Sequence, residues 1–139
     1  MYIISINKPH TDNIFSGKKI IEWRKKKLPD GVYRVYETKN KGGCGAVVGL
    51  FIIDNHMEDE PYIVSTYESI QELPDVIIEE GCVDRQFLEE YIGKDSGKLL
   101  WGNRIKAPIK LSKPVPITKY ANKKGETITR PPQFYMKCM

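Results

Sequence analysis

The sequence predicts an α+β domain. A mixed, mostly antiparallel sheet of five to six strands curls toward a barrel, with a short helix after the first strand and a helical segment in the middle of the chain. Three observations carry this prediction. Six short segments are rich in β-branched and aromatic residues, which suit a pleated, half-buried surface. Most of these segments lie too close together for the crossover of a dozen or more residues that parallel neighbours need. Between residues 58 and 97 the apolar spacing changes from that of a strand to that of a helix.

The chain opens with YIISI (2–6), a strand. Pro9 is a favoured first helical residue. PHTDNIFSG (9–17) fits a short helix with Ile14 and Phe15 as apolar contacts and Gly17 as its stop. KIIEWRK (19–25) reads as the second strand. Pro29, Asp30 and Gly31 signal a turn, after which VYRVYET (32–38) is a third strand with Tyr33 and Tyr36 on opposite faces. The glycine-rich KNKGGCG (39–45) leads to AVVGLFII (46–53), apolar enough to be a strand buried on both faces. STYESIQEL, PDVIIEEG and DRQFLEEYIGK have helical spacing, with Asp84 as an N-cap and Gly93 as a stop. LLWGNRIKAPIKL (99–111) is strand-like again, with Gly102 suggesting a bulge and Pro108 an edge. A polar loop, NKKGETITRPP, precedes a short final strand in QFYMKCM.

A chain of 139 residues, 40% hydrophobic, is expected to form one domain over 1–139. No apolar run approaches the roughly 20 residues of a membrane helix, and the N-terminal MYIISINKPHTD has no basic region or small-residue cleavage site. Three cysteines at irregular spacing (Cys44, Cys82, Cys138) and two distant histidines (His10, His56) form neither a disulfide framework nor a metal-ligand pattern. A cytoplasmic protein with reduced thiols, no metal and no cofactor is the expectation. Gly42, Gly43 and Gly45 do not fit a phosphate-cradling loop, because GxxxxGK[ST] is absent and no helix follows. The net charge of +4 hides a separation. Residues 54–90 carry twelve acids and one base, Arg85, for −11, and the rest of the chain carries +15. That distribution suggests a basic working surface, with the acidic segment as either a solvated insert or a docking region for a protein partner.

The stretch GKKIIEWRKKK (17–27) places one acid, Glu22, among six bases. On a strand Ile21 and Trp23 share one face, while Glu22 and Arg24 share the other. Lys19 has the parity of Ile21 unless a bulge turns it round. If Lys19, Glu22 and Arg24 converge, Glu22 can accept hydrogen bonds from a base edge while Lys19 and Arg24 hold phosphate or a carbonyl oxygen. Alternatively Lys19 and Glu22 exchange protons with a substrate. The plainer alternative is an ion pair on a solvated face, worth about 0–1 kcal/mol. Lys25, Lys26 and Lys27 read as a solvated loop that attracts polyanions. Trp101, beside Gly102, either stacks on a base or packs in the core, and the alternation with Ile21 favours the core for Trp23. Arg104 and Lys8 are further candidates for contact with phosphate, against a simple solvated role.

These residues also carry a family likeness. SINKPHTDNIFSGKKIIEWRKKK resembles the N-terminal signature of the ASCH domain, a PUA-like family: a strand, Lys-Pro, a short helix, then Gly-x-Lys-x-x-Glu-x-Arg, here Gly17, Lys19, Glu22 and Arg24. LLWGNRIKAPIKLSKPVPITKY resembles the family's returning strand, with its proline-containing end at Lys113 to Ile117, and RPPQFYMKC resembles a closing strand. The resemblance implies a PUA-like β-barrel of five or six strands with a helix at one end, a cleft lined by the signature residues, and binding of RNA or nucleotides. Some members act on RNA or modified nucleosides, and one subgroup resembles amidohydrolases that deacetylate acetylated cytidine. That subgroup has a lysine matching Lys19 but a threonine where this chain has Glu22, and its further carboxylate has several candidates here, among them Glu68, Glu79, Glu89 and Glu90.

Three functions follow in order. The first is an RNA- or nucleotide-binding domain with a regulatory role in RNA metabolism, using Lys8, Lys19, Glu22, Arg24, Trp101 and Arg104. The second is a hydrolase of RNA or of a modified nucleoside, with Lys19 and Glu22 as its catalytic acid–base pair. The third is a protein-binding regulator acting through the acidic segment 54–90.

Overall fold

The computed structural model describes residues 1–55, 63–94 and 96–139. The elements in chain order are β1 (Tyr2–Ile6), α1 (His10–Phe15), β2 (Ile21–Arg24), β3 (Gly31–Glu37), β4 (Ala46–Ile53), β5 (Ile63–Ser65), α2 (Asp75–Glu80), α3 (Arg85–Ile92), β6 (Leu100–Val115) and β7 (Tyr135–Lys137). Short 3₁₀ turns cover Asn40–Gly42, Glu68–Glu72 and Ile117–Lys119. The strand order is β2-β6-β4-β3-β1-β7, with β5 also paired to β6. All six expected strands form, and the mixed sheet is seen in its ladders: β1 runs parallel to β3, whereas β1–β7, β2–β6 and β5–β6 are antiparallel.

Three details depart from the sequence reading. A seventh strand, β5, lies within the segment expected to be helical. STYESIQEL makes a 3₁₀ turn at Glu68–Glu72 in place of an α-helix, with Thr66 and Ser69 exchanging backbone–side-chain hydrogen bonds beside it. Such hydroxyl bonds compete with regular helix. The irregularity of β6 falls at Ala107 (φ +48°), directly before Pro108, while Gly102 stays in register with both neighbours. The part of the helical expectation at 58–62 lies outside the described residues, as do three of the twelve acids.

The chain's contacts gather into two compact units. The first comprises Met1–Gly17, Gly31–Ile52 and Ala107–Met139. Ile3, Tyr36, Val47, Ile117, Ile128 and Cys138 form one core there. On the opposite face of β3, Tyr33 stacks on its strand partner Tyr2 at 4.8 Å and meets Phe51 and Tyr135. Both Tyr33 and Tyr36 are therefore buried, and neither offers its ring outward. Gly17, at φ +84°, ends α1 as expected, its amide donating to the Ile14 carbonyl. Only Gly takes that conformation without strain.

The second unit comprises Lys18–Asp30 and Ile53–Lys106. Its core joins Ile21 and Trp23 of β2 with Ile70, Ile78, Leu88, Ile92 and Leu100. Asp84 caps α3 by accepting from the Phe87 amide at 2.7 Å, and Gly93 (φ +80°) ends that helix, both as the sequence indicates. Arg85, the one base of the acidic segment, donates to the Ile70 carbonyl at 2.8 Å and to Asp75 at 2.6 Å. It ties the start of α3 to the 3₁₀ turn and to α2.

Candidate functional site

The signature residues lie in the second unit, where β2 and β5 flank the first part of β6. Register fixes which side chains share a face. Ile21 opposes Arg104, Glu22 opposes Asn103, Trp23 opposes Gly102, and Arg24 opposes Trp101. Directly paired residues project to the same side of a sheet, and neighbours along a strand alternate. One face of this ladder thus carries Ile21, Trp23 and Arg104, and the other carries Glu22, Arg24, Trp101 and Asn103.

The Trp23 face is core. A Cβ on Gly102 would stand 3.2 Å from both Ile21 and the Trp23 ring, and a Cβ on Gly81 would stand 2.6 Å from Trp23 Nε1. The indole occupies a slot between two glycines. Lys19 belongs to this side. Its Nζ donates to the Gly81 carbonyl at 2.5 Å, and the side chain is buried. The Ile20 amide donates to the Glu80 carbonyl, and Arg104 reaches the Glu80 carboxylate at 3.4 Å. Lys19 and Arg104 therefore hold the C-terminal end of α2, where carbonyls and the helix dipole favour cations.

The opposite face holds the charged pair and an amide network. Arg24 Nε lies 3.5 Å from Glu22 Oε1, with both side chains mostly buried. Glu22 Oε2 is buried and accepts no hydrogen bond from any of the described residues. Asn103, fully buried opposite Glu22, donates to the backbone carbonyls of Glu22 (3.1 Å) and Trp101 (3.2 Å). Its Oδ1 accepts from the Leu28 amide and from Asn55 Nδ2. Asn55 donates in turn to the Leu28 carbonyl and accepts from the Arg104 amide. Each of these amide NH₂ groups has two donors, and both are used. The network fixes the backbone of Glu22 and has no donor to spare for Oε2.

The structure brings Glu22, Arg24 and Trp101 to one face and separates Lys19 and Arg104 from them. Lys19 precedes β2, and its ammonium bonds the carbonyl of Gly81, the residue that packs against the Trp23 ring. Lys25 lies over the Tyr91 ring at 5.0 Å, so this part of the basic run is anchored on α3. Lys8 belongs to the first unit, where it pairs with Asp12 at 3.6 Å and lines a cavity with Thr11 and Glu37. Sequence reasoning missed Asn55, Asn103 and Glu37. A polar residue inside an apolar strand run, as in GNRI and VYET, was the available signal. Among the described residues no group of three or more metal-ligating side chains gathers, the three cysteines are free, and no helix is long and apolar enough to cross a membrane.

Glu37 is a buried carboxyl of the first unit. Burial works against its charge, but the Thr11 hydroxyl (2.5 Å), the Cys44 amide (3.0 Å), the Cys44 thiol and Lys8 outweigh it, and its pKa lies below the ordinary value. The Cys44 thiol moves the other way, pushed up by burial and by the neighbouring Glu37, which disfavours a reactive thiolate.

No protein-family model matches the chain, and no curated protein matches it. Solved structures do. A tyrosine-to-phenylalanine variant of an ASCH protein from Zymomonas mobilis superposes with a TM-score of 0.70 at 15% identity, covering 98% of this chain and 88% of that one. A serine-to-alanine variant gives 0.70 at 16% identity over 98% and 86%. The unmodified ASCH structure gives 0.68 at 16% identity over 98% and 85%. At such identities the likeness is one of fold, and it agrees with the signature and the ladders described above: this chain has the α+β, PUA-like fold of the ASCH proteins.

Proposed function

We propose that this chain is an RNA- or nucleotide-binding domain with a regulatory role in RNA metabolism, and that Glu22, Arg24 and Trp101 contact the ligand. One observation carries the reading: Glu22 Oε2 is buried beside Arg24 without a hydrogen-bond donor among the described residues, while the adjacent amides are saturated. A buried carboxylate oxygen left unpaired costs about 1–3 kcal/mol or more. A ligand N–H, such as the amino or imino group of a base, meets that need. Arg24 holds Glu22 in place and adds positive charge, and Trp101 on the same face supplies a surface on which a base stacks. The ASCH fold and the signature residues point the same way.

The hydrolase reading has less behind it. Its proton partner for Glu22 was Lys19, whose ammonium bonds the Gly81 carbonyl beside the Trp23 ring. The reading through the acidic segment rests on charge alone.

Titration with single-stranded RNA, duplex RNA and mononucleotides at several salt concentrations tests the proposal. Wild type is expected to bind at least one of them. Glu22→Gln weakens that binding about tenfold, since a charged hydrogen-bond acceptor is lost. Arg24→Ala weakens it comparably, and Trp101→Ala by about 1–3 kcal/mol. Absence of binding to every probe, or binding indifferent to all three substitutions, would sink the proposal.

A further inference from the structure

The first unit contains a cavity of about 380 Å³, within the range of small-molecule sites, roughly 300–1,000 Å³. We propose that it is a second ligand site, for a nucleobase carrying a single phosphate, with the base directed inward and the phosphate at the mouth.

The inner lining presents a buried acceptor. Glu37 is buried, with Oε1 accepting from Thr11 and Oε2 from the Cys44 amide. A carboxylate has about four acceptor positions, and these bonds fill one on each oxygen. The Cys44 thiol also bonds this carboxylate, and the Thr11 hydroxyl and the Cys44 amide have no second proton to give, so acceptor capacity remains for a ligand N–H. The carboxyl is fixed in place and stays ionised, since its pKa is lowered. That capacity matches an N–H donor on a ligand edge.

The wall is aromatic and held rigidly. Phe15 lines the cavity, and a Cβ on Gly49 of β4 would stand 2.4 Å from two of its ring atoms. The glycine lets the ring lie directly on the strand. Val48 adds buried apolar surface beside it. The cations sit outward: Lys110 is exposed, and Lys8 is half-exposed beside the exposed Asp12. The unit as a whole holds eleven Lys and Arg against three Asp and Glu, a formal +8, so the surrounding field draws anions.

This arrangement discriminates between ligand classes. A bare anion is repelled by Glu37, and a bare cation is repelled by Lys8 and Lys110. A flat ring with N–H donors at one end and negative charge at the other meets every group. Among the common bases, guanine offers the most N–H donors on one edge, so a guanine nucleotide is expected to bind best.

Calorimetry and amide-resolved NMR titration test this with GMP, AMP, CMP and UMP, with guanosine and inorganic phosphate as fragments, and with RNA bearing a 5′-phosphorylated guanosine. The last arm separates a free nucleotide from a strand end. GMP is expected to bind, to shift the amides of Thr11, Glu37 and Cys44, and to exceed each fragment about tenfold. Cys44→Phe, which narrows the cavity, and Glu37→Gln each weaken binding about tenfold or more, and Lys110→Ala weakens it about threefold. If Glu37→Gln fails to fold, Cys44→Phe and Lys110→Ala decide. No binding of any nucleotide overturns the inference, as does phosphate binding as tightly as GMP, or wild-type affinity in both Cys44→Phe and Lys110→Ala. Shifts confined to Glu22, Arg24 and Trp101 overturn it too, and leave the reading of that face standing.

Discussion

Glu22 and Glu37 are both buried carboxylates, and the difference between them lies in their donors. Glu37 receives the Thr11 hydroxyl and the Cys44 amide, whereas Glu22 has Arg24 at 3.5 Å on one oxygen and no donor among the described residues on the other. The first arrangement stabilises the fold through ionisation, and pH reports it. Because the pKa of Glu37 is lowered from 4.5, the folded state prefers the ionised form. That preference contributes fully above the unfolded pKa and is lost as pH falls through the lower folded value. Urea midpoints measured between about pH 6 and pH 3 should therefore fall more steeply for wild type than for Glu37→Gln. Parallel profiles would refute the assignment. The sequence made Glu22 visible, since a lone acid among six bases is conspicuous, and alternation gave its face correctly. Glu37 was hidden, because an acid at the end of a strand looks solvated until the α1 helix is folded over it.

At the scale of elements, what the sequence showed depends on how local the cause is. Asp84 and Gly93 bounded α3 because capping is decided within a few residues, and β4 matched its apolar run for the same reason. β5, three residues long, exists only because β6 offers it an edge, and no local signal announces that. Lys19 is a similar case: its partner is a carbonyl 62 residues away, at the end of α2. The close packing of that helix end can be tested through Gly81. Its Cα direction faces the Trp23 ring, and an added Cβ would stand 2.6 Å from Nε1 and 2.8 Å from Cδ1 of a rigid indole wedged against Gly102. Gly81→Ala is expected to destabilise the protein by roughly 1–3 kcal/mol, the usual cost of overpacking. A lowered urea midpoint with a shift in tryptophan emission would register it. An unchanged midpoint would mean that the slot yields more readily than its two glycine walls suggest.

Across the whole molecule, the charge separation legible in the sequence survives folding but is redrawn. The basic run 18–27 joins the acidic segment in the second unit, which carries −4, and the first unit carries +8. The chain passes between the units four times, at 17/18, 30/31, 52/53 and 106/107, and β6 contributes to both. No single cut releases either unit as a continuous piece. Unfolding one unit therefore removes the anchoring of both ends of segments in the other, and we expect one cooperative transition, the behaviour of a single domain. The two tryptophans make this measurable, because Trp23 and Trp101 both belong to the second unit. Cys138, buried in the core of the first unit, reports the other half through alkylation quantified by mass spectrometry at that residue. In urea, tryptophan emission and Cys138 alkylation should share one midpoint and one slope. Separated midpoints would show two independently folding units, and the four crossings would then be tethers that carry no stability between them.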